Sequence, residues 1–254
     1  MERIDTVNDH FKPVNTANKW SVIFFWASVV CSFLVLFTDN NELYNTVANI
    51  IFILVSIAYS VVNNLLGLFL LRGAQDKRRV HLLSNALGIN LDDEHTNLYY
   101  NNKQRESLVR LGLNAFENTL FTWRVTEKMA KSEMKKVVFY LFFFFLITLI
   151  DGIDINFIAI IAQTIFTTGL IVNLIKLLIL SSTCKQLHNE FRQVFLTNGT
   201  NYSDKLVAIL LQLVFKYETT VASMGVHTSE KIFKDINSNV SEEWERTKSN
   251  LSLD

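Results

Sequence analysis

The chain has 254 residues, with 24 basic and 24 acidic side chains and a formal net charge of zero. This balance offers no overall basic surface for nucleic acid, so DNA binding is not expected. Half of the residues are hydrophobic and 19% are charged. The two classes are segregated along the chain, which is typical of a membrane protein and unusual for a soluble domain.

Four apolar stretches contain almost no ionised side chains: 20–38, 47–71, 137–150 and 157–181. A helix of about 20 apolar residues crosses the hydrocarbon core of a membrane. The third stretch has only 14 residues, but Lys131, Lys135 and Lys136 at its start can extend it by snorkelling. Short turns separate the members of each pair, so we predict an all-α polytopic membrane protein with four transmembrane helices in two hairpins, 20–71 and 137–181.

The distribution of basic residues predicts the orientation of these spans. Segment 72–136 contains 12 Lys and Arg, whereas the turns 39–46 and 151–156 contain none and carry acidic residues. Because basic loops stay on the cytoplasmic side of a membrane, segment 72–136 is predicted to be a cytoplasmic connector. The segments 1–19 and 182–254 then lie on the same side, in the cytoplasm, and the chain is expected in the inner (plasma) membrane.

The cytoplasmic segments are predicted to be helical. In the connector, one helix continues the second span to about Gly88 and another runs over about 103–134. Helices over 182–197 and 205–224 and a polar helix from about Ser229 follow the fourth span. On the second connector helix, apolar residues at four-three spacing form one face for packing or for a partner: Val109, Leu113, Phe116, Leu120 and Trp123.

The second span carries polar residues on one helical face: Asn49, Ser56, Ser60, Asn63 and Gly67, with Asn64 beside them. One interpretation is the water-facing wall of an oligomeric pore. The other is a helix–helix contact, because small and hydrogen-bonding residues also mediate packing in lipid. In the fourth span Gln163 and Thr167 share a face and are further pore-lining candidates.

The sequence contains no recognisable enzyme or metal site. Asp92, Asp93, Glu94 and His95 are consecutive residues, which rarely converge on one metal ion, and the histidines lack zinc spacing. The sequence has no phosphate-binding GxxxxGK[ST], no GxSxG and no HExxH pattern. We therefore expect no catalytic residues, no metal and no cofactor.

Segment 99–129, YYNNKQRESLVRLGLNAFENTLFTWRVTEKM, is similar in character to the helix that some small membrane effectors carry beside their spans. In its layout the chain resembles small multi-span effectors of bacterial antiphage defence systems, in which a membrane module accompanies a cyclic-oligonucleotide synthase or another sensor. The resemblance implies membrane disruption after assembly of subunits, triggered from the cytoplasm. It transfers no functional residue to this sequence.

The features together favour an oligomeric pore-forming or membrane-disrupting effector. Its expected partners are membrane lipid, further copies of the chain, and a cytoplasmic sensor protein or signalling nucleotide. One alternative is a membrane-anchored scaffold or sensor whose cytoplasmic helices recruit a partner protein. Another is a subunit of an enzyme or transporter whose active component is a different chain.

Overall fold

The computed structural model describes residues 6–38, 40–94, 96, 100, 102–149 and 169–253. The described chain consists of a short 3-10 helix, Thr6–Phe11, and seven α-helices. These are α1 Lys12–Phe37, α2 Glu42–Leu65, α3 Leu71–Leu87, α4 Leu108–Thr148, α5 Leu170–Asn198, α6 Asp204–Met224 and α7 Glu230–Leu251. The prediction of an all-α fold is confirmed for these residues.

Local signals in the sequence determine where several helices begin and end. Asn41, Ser203 and Ser229 each precede a helix, and each side chain accepts a hydrogen bond from the backbone N–H three residues on. Such capping satisfies a donor that the first turn leaves unpaired. Gly88 and Gly225, with φ of 65° and 55°, end α3 and α6 in the left-handed conformation that glycine adopts readily.

Two helical runs are long, and the first continues the second predicted span into the connector, as the sequence predicts. A five-residue π-helical turn, Leu66–Leu70, joins α2 directly to α3, so helical residues run without a break from Glu42 to Leu87. Helix α4 is a single helix of 41 residues that covers most of the predicted connector helix, about 103–134, and of the predicted third span, 137–150. No Gly or Pro lies between Gly112 and Thr148, so nothing interrupts the backbone hydrogen bonding where the composition changes.

The chain divides into two compact units. The polar unit comprises Met1–Phe11, Arg72–Lys131 and Ile175–Asp254, and the apolar unit comprises Lys12–Leu71 and Ser132–Leu174. The predicted cytoplasmic connector and C-terminal segment fall almost entirely in the polar unit. The first predicted hairpin falls in the apolar unit.

Within the described ranges, four helical segments are long and apolar enough to cross a membrane: Thr6–Val35, Glu42–Leu87, Leu170–Asn198 and Asp204–Met224. The first three contain residues of the predicted spans 20–38, 47–71 and 157–181. Asp204–Met224, which is α6, lies instead in the predicted cytoplasmic segment. The third predicted span, 137–150, is not among the four, because its apolar residues follow Lys135 and Lys136 closely and the described helix ends at Thr148.

The polar unit has a core built from α4, α5, α6 and α7. Helix α6 contributes one buried face, made of Leu206, Val207, Leu210, Leu213, Val214 and Tyr217. Helix α4 contributes Leu113, Phe116 and Leu120, none of which has exposed surface. Helix α6 is apolar enough in composition to be a membrane span. Its apolar face is nevertheless buried against other helices.

Candidate functional site

The polar face of α2 differs between its two ends. Asn49 and Ser56 are partly buried, whereas Ser60, Asn63 and Asn64 are exposed. The face lies beside the side of α2 that packs on α1, where Tyr59 meets Phe25 with ring centroids 6.3 Å apart. The half of the polar face nearer the turn between α1 and α2 is therefore partly buried, and the half nearer Leu66 is exposed.

Hydrogen bonding explains the partly buried half. Asn49 donates its amide to the carbonyl oxygen and the side-chain oxygen of Asn45, at 3.0 and 2.9 Å. Asn45 in turn donates its amide to the backbone oxygen of Val35 in α1, at 2.8 Å. These hydrogen bonds connect α2 to the end of α1. They agree with the interpretation that this half of the polar face serves helix packing.

Among the described residues, the exposed half makes no such contact with another helix. Asn64 donates its amide to the backbone oxygen of Ser60, at 2.8 Å, within its own helix. The side chain of Asn63 has no hydrogen bond within the described part of the chain, and it is exposed. The π turn, Leu66–Leu70, begins three residues after Asn63. The backbone N–H of Leu66 donates a hydrogen bond to the backbone carbonyl oxygen of Asn63. Such turns occur often at functional sites.

The other two pore-lining candidates, Gln163 and Thr167, lie outside the described residues. The structure adds a feature of α1 that the sequence analysis did not identify. Ser21, Ser28 and Ser32 are buried, with exposed fractions of 8%, 7% and 4%, and share a face with Phe25. Small residues at such spacing let neighbouring helices approach closely, so this face suits the packing of α1 on α2.

The predicted apolar face of the connector helix lies in the core of the polar unit. Val109, Leu113, Phe116 and Leu120 are buried. The Phe116 ring lies 4.7 Å from His188, 5.1 Å edge-to-face from Trp244, and within 6 Å of Phe191 and Phe195, measured between ring centroids. Phe116 thus joins α4, α5 and α7 in one aromatic cluster.

Trp123 has a different environment from the other four residues of that face. It is only partly buried, and the Arg124 guanidinium carbon lies 3.9 Å from its ring centroid. The Lys185 ammonium lies 5.4 Å from the same centroid. Arg124 also donates two hydrogen bonds to Glu243 of α7, at 2.9 and 2.5 Å, so the ring is part of a cation–π and ion-pair surface.

A further charged cluster ties α3 to α6. Arg78 and Arg79 of α3 both donate to the same oxygen, Oε2, of Glu218 in α6, at 2.6 and 3.1 Å. Arg79 also donates to Asp76, at 2.5 Å. We call these four residues the Glu218 clamp. In the sequence, Arg78 and Arg79 indicate only the orientation of the spans and Glu218 carries no signal, because nothing local shows that residues 140 positions apart meet.

The residues around the clamp show how well it is shielded from solvent. Burial and the Glu218 carboxylate raise the pKa of Cys184 to about 12, so this thiol stays protonated and unreactive. Burial also raises the pKa of Tyr217, despite the opposing effect of Arg78. The Tyr217 hydroxyl lies 2.8 Å from the hydroxyl of Thr122 in α4, and this contact links a third helix to the cluster.

The acidic loop after α3 is held by histidines. His81 lies 2.7 Å from the Thr96 hydroxyl through Nε2 and 3.6 Å from Asp92 through Nδ1, and His10 contacts Glu94 at 2.6 Å. Hydrogen bonds from Thr6 and His10 lower the pKa of Glu94. Over the described ranges, no group of three or more His, Cys, Asp or Glu side chains could hold a metal ion.

Comparison of the chain with protein-family models, with curated proteins and with solved structures gives no match.

Proposed function

We propose that this protein is an integral membrane protein that assembles into an oligomeric pore controlled by its cytoplasmic polar unit. The observation that carries the proposal is the exposed set Ser60, Asn63 and Asn64 in the stretch 47–65 of α2, where the other exposed side chains are apolar. A buried amide without a partner in hydrocarbon costs several kcal/mol. Water in a pore, or a second copy of the chain, would remove that cost.

Exposed apolar side chains support membrane insertion of the apolar unit. Trp26 and Val30 on α1, Leu54 on α2, and Phe139 and Phe142 on α4 are each more than half exposed. Soluble proteins rarely leave apolar surface of this extent open to water. Lipid is the environment that covers such side chains at no cost in free energy.

We place α6 in the cytoplasm even though its composition would allow a span. Its apolar face is buried in the polar unit, and its opposite side carries Lys216, which lies 3.2 Å from Glu190 of α5. The membrane spans of the proposal are therefore the two hairpins 20–71 and 137–181. Both termini then lie in the cytoplasm, as the basic residues of 72–136 predict.

The setting we propose is a bacterial plasma membrane, in an antiphage defence system of the kind that the layout of the chain resembles. Signal reception by the polar unit would open the pore and dissipate ion gradients. The proposal requires no catalytic residue and no cofactor from this chain.

A second candidate function is a membrane-anchored scaffold. Leu196, Tyr202 and Phe215 of the polar unit are 70%, 67% and 65% exposed, which is a surface suited to a protein partner. Purified protein in sealed vesicles loaded with a self-quenched dye distinguishes the two functions. A pore releases the dye and makes expression toxic to cells, whereas a scaffold does neither.

A further inference from the structure

In the Glu218 clamp, two arginine side chains bind one carboxylate. Glu218 Oε2 accepts from Arg78 Nη2 at 2.6 Å and from Arg79 Nε at 3.1 Å. The side chains of Arg78 and Glu218 are 14% and 13% exposed, and that of Arg79 is 24% exposed. Charge-assisted hydrogen bonds in so little water are much stronger than surface ion pairs, so the clamp fixes α3 against α6.

Aromatic and hydroxyl contacts extend the clamp to α4. The Arg78 guanidinium carbon lies 5.9 Å from the centroid of the Tyr217 ring, and the Tyr217 hydroxyl contacts Thr122. Helix α3 is thus held by α6, and α6 by α4, all within the polar unit. A movement of α3 away from α6 would break both arginine contacts together, because they share one acceptor.

The place of α3 in the chain gives this contact a consequence for the membrane span. Helix α3 continues α2 through the π turn Leu66–Leu70, and the proposed pore-lining residues Ser60, Asn63 and Asn64 end just before that turn. A π turn is a site where a helix can bend or change its register. A restraint on α3 is therefore transmitted along a continuous helix to the proposed pore face.

We propose that the Glu218 clamp holds the pore closed, and that its release lets α3 and the π turn move so that the pore opens. This inference deepens the proposed pore function and rests on it. In the closed state Glu218 offsets part of the charge that Arg78 and Arg79 carry. The signal that opens the pore acts by separating α3 from α6.

The test uses the full chain in dye-loaded vesicles and compares wild type with Glu218→Gln. Glutamine keeps the shape of the side chain and removes the charge, so the clamp weakens with little change in packing. We expect a dye release rate about tenfold above that of wild type, the population shift that the loss of one charge-assisted hydrogen bond produces. Arg78→Gln, which leaves Arg79 on Glu218, should give a smaller increase.

Glu243→Gln is the matched control, because Glu243 also binds an arginine, Arg124 of α4, in the polar unit, and over the described ranges its ion pair is with α4 and not with α3. Its dye release should equal that of wild type. Amide hydrogen exchange over residues 72–87 should quicken in Glu218→Gln and stay unchanged in Glu243→Gln. This readout detects release of α3 whether or not the pore conducts.

Three outcomes oppose the inference and separate it from the proposed function. If wild type and Glu218→Gln release dye equally, above empty vesicles, the pore stands and the clamp does not control it. If Glu218→Gln releases less dye than wild type, the clamp stabilises the open state instead. If neither wild type nor Glu218→Gln releases dye, but amide exchange over 72–87 quickens in Glu218→Gln, the clamp holds α3 as described. The proposed pore function is then wrong, and so is the proposal that the clamp controls a pore.

Discussion

Gly112 of α4 and Leu210 of α6 lie so close that a Cβ atom at position 112 would stand 2.9 Å from both Cδ atoms of the leucine. Leu210 has no exposed surface, so its side chain has no free space in which to turn away. The glycine therefore allows α4 and α6 to pack at a distance that any other residue would increase. Substitutions at these two positions therefore test directly whether α6 packs against α4 inside the polar unit.

Gly112→Ala should lower the free energy of unfolding by up to about 2 kcal/mol, because overpacking costs about 1–3 kcal/mol and alanine regains only roughly 1 kcal/mol over glycine in a helix. Gly73→Ala is the control: a Cβ at Gly73 in α3 would meet no atom within 4 Å, so this change should stabilise by about 1 kcal/mol. Chemical unfolding of the purified protein in detergent measures both values.

A double-variant cycle tests the cause of the effect at position 112. In a Leu210→Ala background the Cδ atoms are gone, so adding Gly112→Ala should be neutral or stabilising. A positive coupling energy of about 1 kcal/mol or more between the two positions is expected for residues in contact. Independent, additive effects would show that α4 and α6 do not approach each other at this point.

Much of the helical layout is readable from the sequence because its signals are local. The turn-forming segment before Ser203 and the glycine at position 225 bound α6 within one residue of its predicted limits, and α3 ends at Gly88 as predicted. The connector helix and the third span, predicted over about 103–134 and 137–150, form one helix, α4. A change from polar to apolar composition at Lys135 and Lys136 alters the environment of a helix but does not end it, since helix ends need Gly, Pro or a cap.

The contacts that make up the candidate sites were less accessible to sequence analysis. The spacing of Val109, Leu113, Phe116 and Leu120 shows that they share a face, because helical periodicity is a local property. Which residues meet that face, such as Trp244 in α7, depends on how distant helices pack. For the same reason Glu218 carried no signal in the sequence, although its two arginines did.

Phe116→Ala should lower the free energy of unfolding by about 3–5 kcal/mol, because the aromatic cluster would lose its central ring and retain a cavity. Phe215→Ala, at a side chain that is 65% exposed, is the size-matched control and should change stability by less than about 0.5 kcal/mol. Thermal unfolding in detergent measures both, and membrane fractionation checks that insertion persists. Equal melting temperatures for the two variants would contradict the position of Phe116 in the core.

His188 should make the polar unit less stable in acid. Burial, aided by Arg192 and Arg124, lowers its pKa from 6.5 to about 4. Above pH 6.5 the imidazole is neutral in both folded and unfolded chains, so its contribution to stability is then complete. Between pH 6.5 and about 4 the unfolded chain binds a proton at this histidine that the folded chain does not. Lowering the pH through this range therefore lowers the free energy of unfolding, by about 3 kcal/mol in total.

Unfolding measured from pH 7.5 to 4 in wild type and in His188→Asn tests this expectation. The variant should be less stable at neutral pH, because the packing against Phe116 changes, but its stability should decline less steeply between pH 6.5 and 4. Carboxylates such as Glu94 contribute equally to both proteins, so the difference between the two slopes isolates the histidine. Parallel slopes would contradict a buried, neutral His188.

The proposed topology predicts that no glycan is added to the chain. Four N-x-[ST] sequons begin at Asn198, Asn201, Asn239 and Asn250, and all four asparagines are exposed, so folding would not hide them. Expressed through a eukaryotic secretory membrane, they should stay unmodified, because the proposed topology keeps segment 182–254 in the cytoplasm. A sequon-bearing insert that lengthens the turn 39–46 is the positive control. Glycan on any native sequon would reverse the proposed orientation.

Asn63→Leu distinguishes a pore wall from a helix contact on the face of α2. If Asn63 faces water in an oligomer, leucine makes a narrow polar section apolar, and such sections resist wetting. The variant should then insert and crosslink into oligomers as wild type does, but release little dye. If Asn63 instead bonds to a neighbouring helix, the substitution removes about 0.6 kcal/mol and adds bulk, so crosslinking should fall first.

Asn45→Leu provides the comparison, because the Asn45 amide donates to the Val35 oxygen and joins α1 to α2. This variant should weaken the first hairpin, which a lower melting temperature would show, and any loss of dye release should follow the loss of folded protein. Dye release normalised to crosslinked oligomer should therefore fall in Asn63→Leu and hold in Asn45→Leu. Intact oligomers of Asn63→Leu with undiminished dye release would remove this face of α2 from the pore wall.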